Sequence, residues 1–342
     1  MKKINKIIFS AGIIIILAVI FTVGNKTDFN SQNSKTQTLK SKNTASTSLI
    51  IEPDDGITPI ISLINNAKKS IDLVMYELED KQIEQALASA EKRGVSVRVI
   101  LNKGYYGEQE TVNESAFLYF QTNDVSVRWS PSYFALTHQK TIVIDGNDAL
   151  IMTFNFTPQY YASDRDFGIN DEDQNDVSAI EKTFDADWQN NKISTLNGDD
   201  LIWSPNSKTS LLSLINNAKS SVEIYNEEMS DSDVISALET AAKRGVNVEV
   251  DMTYSNNWKS AFQKLSSSGV HVRTFSSDAS IYIHAKMILV DDKEAFVGSE
   301  NFSTGSMDDN RELGIIINEQ GIINSLNKIF NDDWQLATPF TI

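Results

Sequence analysis

The globular part of this sequence is written twice. Ser62-Leu-Ile-Asn-Asn-Ala-Lys-Lys-Ser70 recurs as Ser213-Leu-Ile-Asn-Asn-Ala-Lys-Ser-Ser221, and Lys92-Arg93-Gly94-Val95 recurs as Lys243-Arg244-Gly245-Val246, both 151 residues later. Further on the offset becomes 146: His138 pairs with His284, Lys140 with Lys286, Asp145 with Asp291, Asn155 with Asn301, Arg165 with Arg311, Gly168 with Gly314, Phe184 with Phe330 and Trp188 with Trp334. The second copy has therefore lost five residues in its middle. Solenoid repeats run at about 20–50 residues. Two copies at this longer period describe a duplicated domain, whose halves tend to associate about a pseudo-twofold axis.

Each copy has an α/β pattern. Amphipathic helices are expected at about 57–69 and 208–220, followed by strands at Ile71–Met75 and Val222–Tyr225. Second helices at about 80–93 and 231–244 stop at Gly94 and Gly245, the usual C-terminal glycine. The β-branched runs Val95–Leu101 and Val246–Met252 are expected strands. So are Thr141–Ile144 and Met287–Val290, then Ala149–Thr153 and Ala295–Gly298, with closing helices near Trp188 and Trp334. Strands alternating with helices imply sheets covered by helices. The expected halves are 50–197 and 198–342.

The N-terminus has a different character. Met-Lys-Lys-Ile-Asn-Lys is followed by an 18-residue apolar stretch, Ile7 to Gly24. A basic flank before an apolar segment marks export, and about 20 such residues span a bilayer. Residues 1–24 are thus expected to be an uncleaved signal-anchor with its lysines inside, or a cleaved signal peptide. Residues 25–49, rich in Ser, Thr, Asn, Gln and Lys, are expected to be a solvated tether. The protein is expected to be exported and extracytoplasmic, anchored or secreted.

The net charge of −16 splits into +6 over residues 1–50 and −22 over the rest. Nucleic-acid binders carry a basic footprint, so polynucleotide is disfavoured as a partner. With no cysteine, thiolate metal sites, disulfides and thiol nucleophiles are excluded. Only three histidines are present, at 138, 271 and 284.

Two of the three sit in matched motifs: His138-Gln-Lys140-Thr-Ile-Val-Ile-Asp145 and His284-Ala-Lys286-Met-Ile-Leu-Val-Asp291. Residues i and i+2 of a strand share a face, so each histidine projects with its lysine. Asn155 and Asn301 lie 17 residues past the histidines, and Asp166 and Glu312 lie 28 past them. Two ammoniums and two amides suit the oxygens of a phosphoryl group. One histidine can attack phosphorus and the other can shuttle protons to and from the alcohols. A carboxylate on the far ring nitrogen would fix each tautomer.

These paired H-x-K-x-x-x-x-D motifs, over about residues 50–340, resemble those of the phospholipase D superfamily. The resemblance implies a two-half α/β/α fold with one active site at the interface, a covalent phosphohistidine, no metal and no cofactor. It implies His138 as nucleophile and His284 as acid/base, with crosswise support of His138 by Glu312 and of His284 by Asp166. It implies structural roles for Asp145 and Asp291. The expected substrate is a phospholipid head group at a membrane surface, cleaved by water or exchanged with an alcohol. A nuclease of the same superfamily and a non-catalytic surface module are the alternatives. One chain supplies both motifs, so a monomer suffices for the site.

Two departures stand out. Gly298-Ser-Glu-Asn301 fits the superfamily's pattern, whereas Met152-Thr-Phe-Asn155 puts a methionine where a glycine near the phosphate is expected, narrowing the pocket. Asp166 is one methylene shorter than Glu312. Tyr105, Tyr106, Trp129, Tyr133, Phe134, Tyr160 and Tyr161 could wall the pocket, receive a choline-type head group, or simply pack. Arg165 and Arg311 have two readings, near the acids of the site or as interface salt bridges. Trp188 and Trp334 are expected in the core and His271 outside the site. The acidic run Asp171–Asp176 lacks the glycine and closing glutamate of a calcium loop.

Overall fold

The structure, a computed structural model, describes residues 47–104 and 112–341. The expected signal segment, most of the tether, and Tyr105 and Tyr106 lie outside the described residues. Among the described residues no helix is long and apolar enough to cross a membrane.

The first half contains β1 (Thr47–Glu52), β2 (Ser70–Met75), β3 (Ser96–Leu101), β4 (Ser126–Trp129), β5 (Thr141–Ile144), β6 (Asp148–Met152) and β7 (Asp164–Asp171). The second contains β8 (Leu201–Ser204), β9 (Ser221–Tyr225), β10 (Asn247–Thr253), β11 (His271–Phe275), β12 (Tyr282–Ile283), β13 (Lys286–Val290), β14 (Glu294–Gly298), β15 (Glu312–Ile317) and β16 (Thr338–Pro339). The first sheet runs β1-β7-β6-β5-β2-β3-β4 and the second β8-β15-β14-β13-β9-β10-β11-β16. Over seven strands the order is the same, with β16 added at the edge of the second sheet and β12 paired onto β7 of the first, so the duplication seen in sequence is a duplication of topology. β1 begins at Thr47, inside the stretch expected to be tether.

Helices α1 (Thr58–Asn66), α2 (Lys81–Lys92), α3 (Glu114–Thr122) and α4 (Gln174–Trp188) belong to the first half, and α5 (Lys208–Asn217), α6 (Ser232–Lys243), α7 (Lys259–Ser267) and α8 (Gln320–Leu336) to the second. Each second helix starts on an aspartate. Asp80 accepts from the backbone of Gln82 and Ile83, and Asp231 from Asp233 and Val234, relieving the unpaired first-turn amides. Gly94 and Gly245 close these helices at φ near +90°, a conformation that a side chain resists.

Alternation along the strands assigns the layers. Ile142, Ile144, Leu150 and Met152 pack with α1, α2 and α3, whereas Val143, Ala149 and Ile151 face the other way, toward α4. The second half repeats this: Ile288 and Val290 pack with α5–α7, and Met287 and Leu289 turn toward α8. The inward faces of both sheets share one apolar core, in which Phe167 and Ile169 of the first half meet Tyr225, Met287 and Phe330 of the second. Helices thus cover both faces of each sheet, and the halves are joined by a common interior rather than a linker.

Asp145 and Asp291 do structural work. The Asp145 carboxylate accepts from the backbone of Lys68, Lys69 and Ser70, and Asp291 from that of Lys219, Ser220 and Ser221. Each pins the turn that leads into β2 or β9. Trp334 is buried in the shared core, and Trp188 packs on Phe184 at 5.8 Å. His271 is exposed. In the acidic run, Asp173 caps α4 and Asp176 accepts from the backbone of Asp199.

Met152 corrects an expectation. It is fully buried among α1–α3 side chains and does not reach the phosphate pocket. The glycine at the matching position, Gly298, answers a packing need: a Cβ there would meet Gly314 Cα at 2.5 Å and Phe296 Cζ at 2.7 Å. The first half has Leu150 in place of Phe296, and the smaller neighbour admits a side chain.

Candidate active site

The segment just before each motif strand, which carries the histidine, reaches across the boundary between halves. The backbone amides of His138 and Gln139 donate to the carbonyl of Arg311, and those of His284 and Ala285 donate to the carbonyl of Arg165. β12 pairs in parallel with β7 of the other half, matching Ile283 to Arg165, and Thr137 bridges to Arg311. Each histidine is therefore held by main chain of the opposite half.

The two arginine side chains lock this exchange. Arg165 donates to both oxygens of Asp333 at 2.7 and 3.1 Å, and Arg311 to both oxygens of Asp187 at 2.8 and 3.0 Å. Both pairs are buried and both cross between halves. Of the two readings of these arginines, the interface one describes the geometry.

The cavity so formed has a volume of about 600 Å³, and His138, Asn155, Asp166, His284, Asn301 and Glu312 all line it. The remaining two expected residues, Lys140 and Lys286, lie beneath the histidines at 1% and 0% exposure. Lys140 Nζ donates to the carbonyl of His138 at 2.6 Å, and Lys286 Nζ to that of His284 at 2.5 Å. All eight residues foreseen from the motif spacing are thus brought together.

His138 Nδ1 lies 2.8 Å from Glu312 Oε2 and 3.2 Å from the carbonyl oxygen of Ser299. A carbonyl can only accept, so Nδ1 carries the proton and Nε2 keeps its lone pair. Burial lowers the imidazole below its ordinary value against the pull of Glu312, which keeps the ring neutral. The Glu312 carboxyl, which burial alone would raise, is held low by His138 and Lys140. Its other oxygen accepts from Ser306 Oγ at 2.6 Å and Asn310 Nδ2 at 3.1 Å.

His284 is surrounded differently. Its Nδ1 lies 3.0 and 2.9 Å from the two oxygens of Asp166, and its Nε2 lies 3.5 Å from Glu227 Oε2. Both ring nitrogens thus face oxygens that only accept, an arrangement suited to a proton on each. Thr153 Oγ donates to Asp166, fixing the shorter acid. Asp164, Asp166 and His284 also bring ligand-type atoms within 4.8 Å of one another. Both Asp166 oxygens are engaged with His284.

The side-chain oxygens of Asn155 and Asn301 are buried without hydrogen-bond partners, so both amides are free to turn toward a ligand. Burial brings the Lys140 ammonium down to about 7, opposed by Glu312 and assisted by Lys286. Carboxylates are dense on the cavity wall: Glu52, pushed up to about 7 by burial and by Asp166, and Asp164, pushed up to about 6 by the same causes, lie with Glu227 and Glu228.

Of the aromatic cluster, Tyr160 and Tyr161 line the cavity. Trp129 stacks on Phe117 at 4.1 Å, Tyr133 donates to Asp187, and Phe134 lies under the Arg311 guanidinium at 4.2 Å. Tyr76, Tyr282 and Glu227, which motif spacing does not single out, stand in the cavity instead. The one available signal is position: Tyr76 and Glu227 follow the C-terminal ends of matching strands, where α/β sheets place their sites.

Residues 60–188 and 211–334 match the family described as "Cardiolipin synthase, PLD-like domain". The chain is 25% identical to the major cardiolipin synthase ClsA of Bacillus subtilis (strain 168), over 86% of this chain and 70% of that protein. It is 23% identical to cardiolipin synthase 2 of Bacillus cereus, over 82% and 63%. Among solved structures, phosphatidylserine synthase of Haemophilus influenzae Rd KW20 superposes with a TM-score of 0.70 at 14% identity, over 86% of this chain and 87% of that one. Polyphosphate kinase of Porphyromonas gingivalis gives 0.67 at 14% identity, over 85% and 47%. The structural likenesses show the fold, and the family match across both halves establishes that the chain belongs to the phospholipase D superfamily, in the cardiolipin synthase PLD-like domain family.

Proposed function

We propose that the protein breaks a phospholipid phosphodiester bond through a phosphohistidine and passes the phosphatidyl group to an alcohol or to water. The observation that carries this is the inequality of the two histidines. His138 is neutral with its proton on Nδ1, as a nucleophile requires. His284 has its Nδ1 on Asp166 and its Nε2 turned to the cavity beside Glu227, a placement that supports a proton donor.

In the first step His138 Nε2 bonds to phosphorus and the bond to the head-group oxygen breaks. That oxygen takes its proton from His284 Nε2. In the second step an incoming hydroxyl gives its proton to His284, its oxygen bonds to phosphorus, and the phosphorus–nitrogen bond breaks. Lys140, Lys286, Asn155 and Asn301 hold the non-bridging oxygens. The likeness to proteins named cardiolipin synthase supports an alcohol as the acceptor here. The basic and apolar N-terminus supports a membrane-tethered, exported location beside the substrate.

The test uses the full chain in detergent, offered phosphatidylglycerol, phosphatidylcholine and single-stranded DNA with and without EDTA. Conversion of lipid that persists in EDTA is expected, with cardiolipin and glycerol as the products of alcohol transfer and phosphatidic acid as the product of hydrolysis. Cleavage of DNA alone would overturn the proposal.

A pH dependence follows from Lys140. Its cation is present below about 7 and lost above. The free enzyme governs kcat/KM, so kcat/KM should fall above pH 7, approaching about tenfold per pH unit. Bound phosphate stabilises the ammonium, so kcat should fall at higher pH than kcat/KM. A profile flat to pH 9 would mean that Lys140 keeps its cation in the working enzyme despite its burial.

A further inference from the structure

The two histidine–lysine pairs differ in one neighbour. The 151-residue offset matches Tyr76 of the first half to Glu227 of the second. The bridges Leu78 to Phe156 and Met229 to Phe302, two residues on, confirm the correspondence. The Tyr76 ring stands edge-on to His138, centroids 4.5 Å apart, and Lys140 Nζ lies 4.9 Å from the ring centre. In the second half the same place holds a carboxylate. Glu227 Oε2 accepts from Lys286 Nζ at 3.2 Å and lies 3.5 Å from His284 Nε2, while Oε1 accepts from Tyr282 at 3.3 Å. Three partners fix it on the cavity wall, 29% exposed.

Each lysine gives one N–H to the carbonyl of its own histidine, and Lys286 gives a second to Glu227. An incoming phosphoryl group therefore meets one ammonium beside a neutral ring and another already paired with an anion. Glu77 and Glu228 put a matched carboxylate on the wall of each half, but at the position beside the lysine the second half carries a negative charge in hydrogen-bond contact where the first half has a neutral ring.

We propose that Glu227 sets the charge of the phosphoryl group the site accepts, admitting a singly charged diester and rejecting a doubly charged monoester. This rests on the reading of the cavity as a phosphodiester site. A diester carries one negative charge at any working pH, whereas a monoester carries nearly two above its second pKa of about 6. Like charges a few ångströms apart in a partly dehydrated site repel strongly enough to change affinity by an order of magnitude or more. On hydrolysis the released product is itself a monoester, so the same carboxylate would expel it and limit product inhibition.

The test measures binding of dimethyl phosphate and methyl phosphate to the full chain at pH 7, where the monoester is already mostly doubly charged and the Lys140 cation is not yet lost, by ligand-detected NMR titration. The wild-type protein should prefer the diester. In Glu227→Gln the preference should shift toward the monoester by about tenfold. Glu227→Tyr should do the same, and the first half already shows that a tyrosine fits beside such a pair. An unchanged ratio in both folded variants, or a wild-type preference for the monoester, overturns the proposal. Binding of neither probe to any form would refute the phosphodiester reading itself, and the role of Glu227 with it.

Discussion

His138→Asn should abolish turnover, with kcat reduced by about 10⁴-fold or more and the melting temperature little changed. Removing a nucleophile deletes a covalent step that the other groups cannot perform, and losses of this size are usual for residues that act as a unit. His284→Ala should be as damaging at steady state yet leave the attack possible. His138 keeps its Nδ1 proton on Glu312 and Ser299, contacts that do not involve His284. A substrate with a good leaving group, needing no proton, should then load phosphate onto the protein and stall. Mass spectrometry of the quenched variant should find the phosphate on His138. Phosphate on another residue, or turnover within tenfold of the parent for His138→Asn, would reverse the assignment of roles.

The sequence carried the symmetric part of this site and missed the asymmetric part, for one physical reason. Matched positions in two copies stand out against each other, so the histidines, lysines, asparagines and acids were legible from spacing alone. Glu227 is opposite Tyr76, a mismatch, and no comparison of the copies draws attention to it. β7 and β15 escaped for a related reason. Asp164-Arg165-Asp166 is a run of charges that no single-strand pattern marks as interior, yet all three are buried. Their partners, His284 and Asp333, come from the other half, so the burial follows from assembly and not from local hydrophobicity. Met152 was misjudged because its partner glycine belongs to a recognisable motif. Gly298 is small to clear Phe296 and Gly314, and the first half keeps the glycine, Gly168, but has Leu150 in place of the phenylalanine.

The crosswise arginine pairs should prove the costliest places to weaken the fold. Asp333→Ala would leave the Arg165 guanidinium buried with only the Glu52 carbonyl and the exposed Asp54 to meet it. Asp187→Ala would strip Arg311 of both its bonds to that carboxylate. Removing one partner of a buried ion pair typically costs about 3–5 kcal/mol, because the remaining charge has lost its water and its counter-ion. Thermal denaturation should show each variant falling by several degrees. Activity should fall too, since the carbonyls of Arg165 and Arg311 receive the backbone amides that hold His284 and His138. Arg165→Met combined with Asp333→Leu should recover most of the stability, because an apolar pair of similar volume carries no stranded charge. A loss below about 1 kcal/mol in both single variants would mean that the halves are held by their shared apolar core and main-chain bonds, with little help from the arginine pairs. Loss of activity without loss of stability would place the arginines in the alignment of the two histidines, and the halves would then be coupled through the site they build.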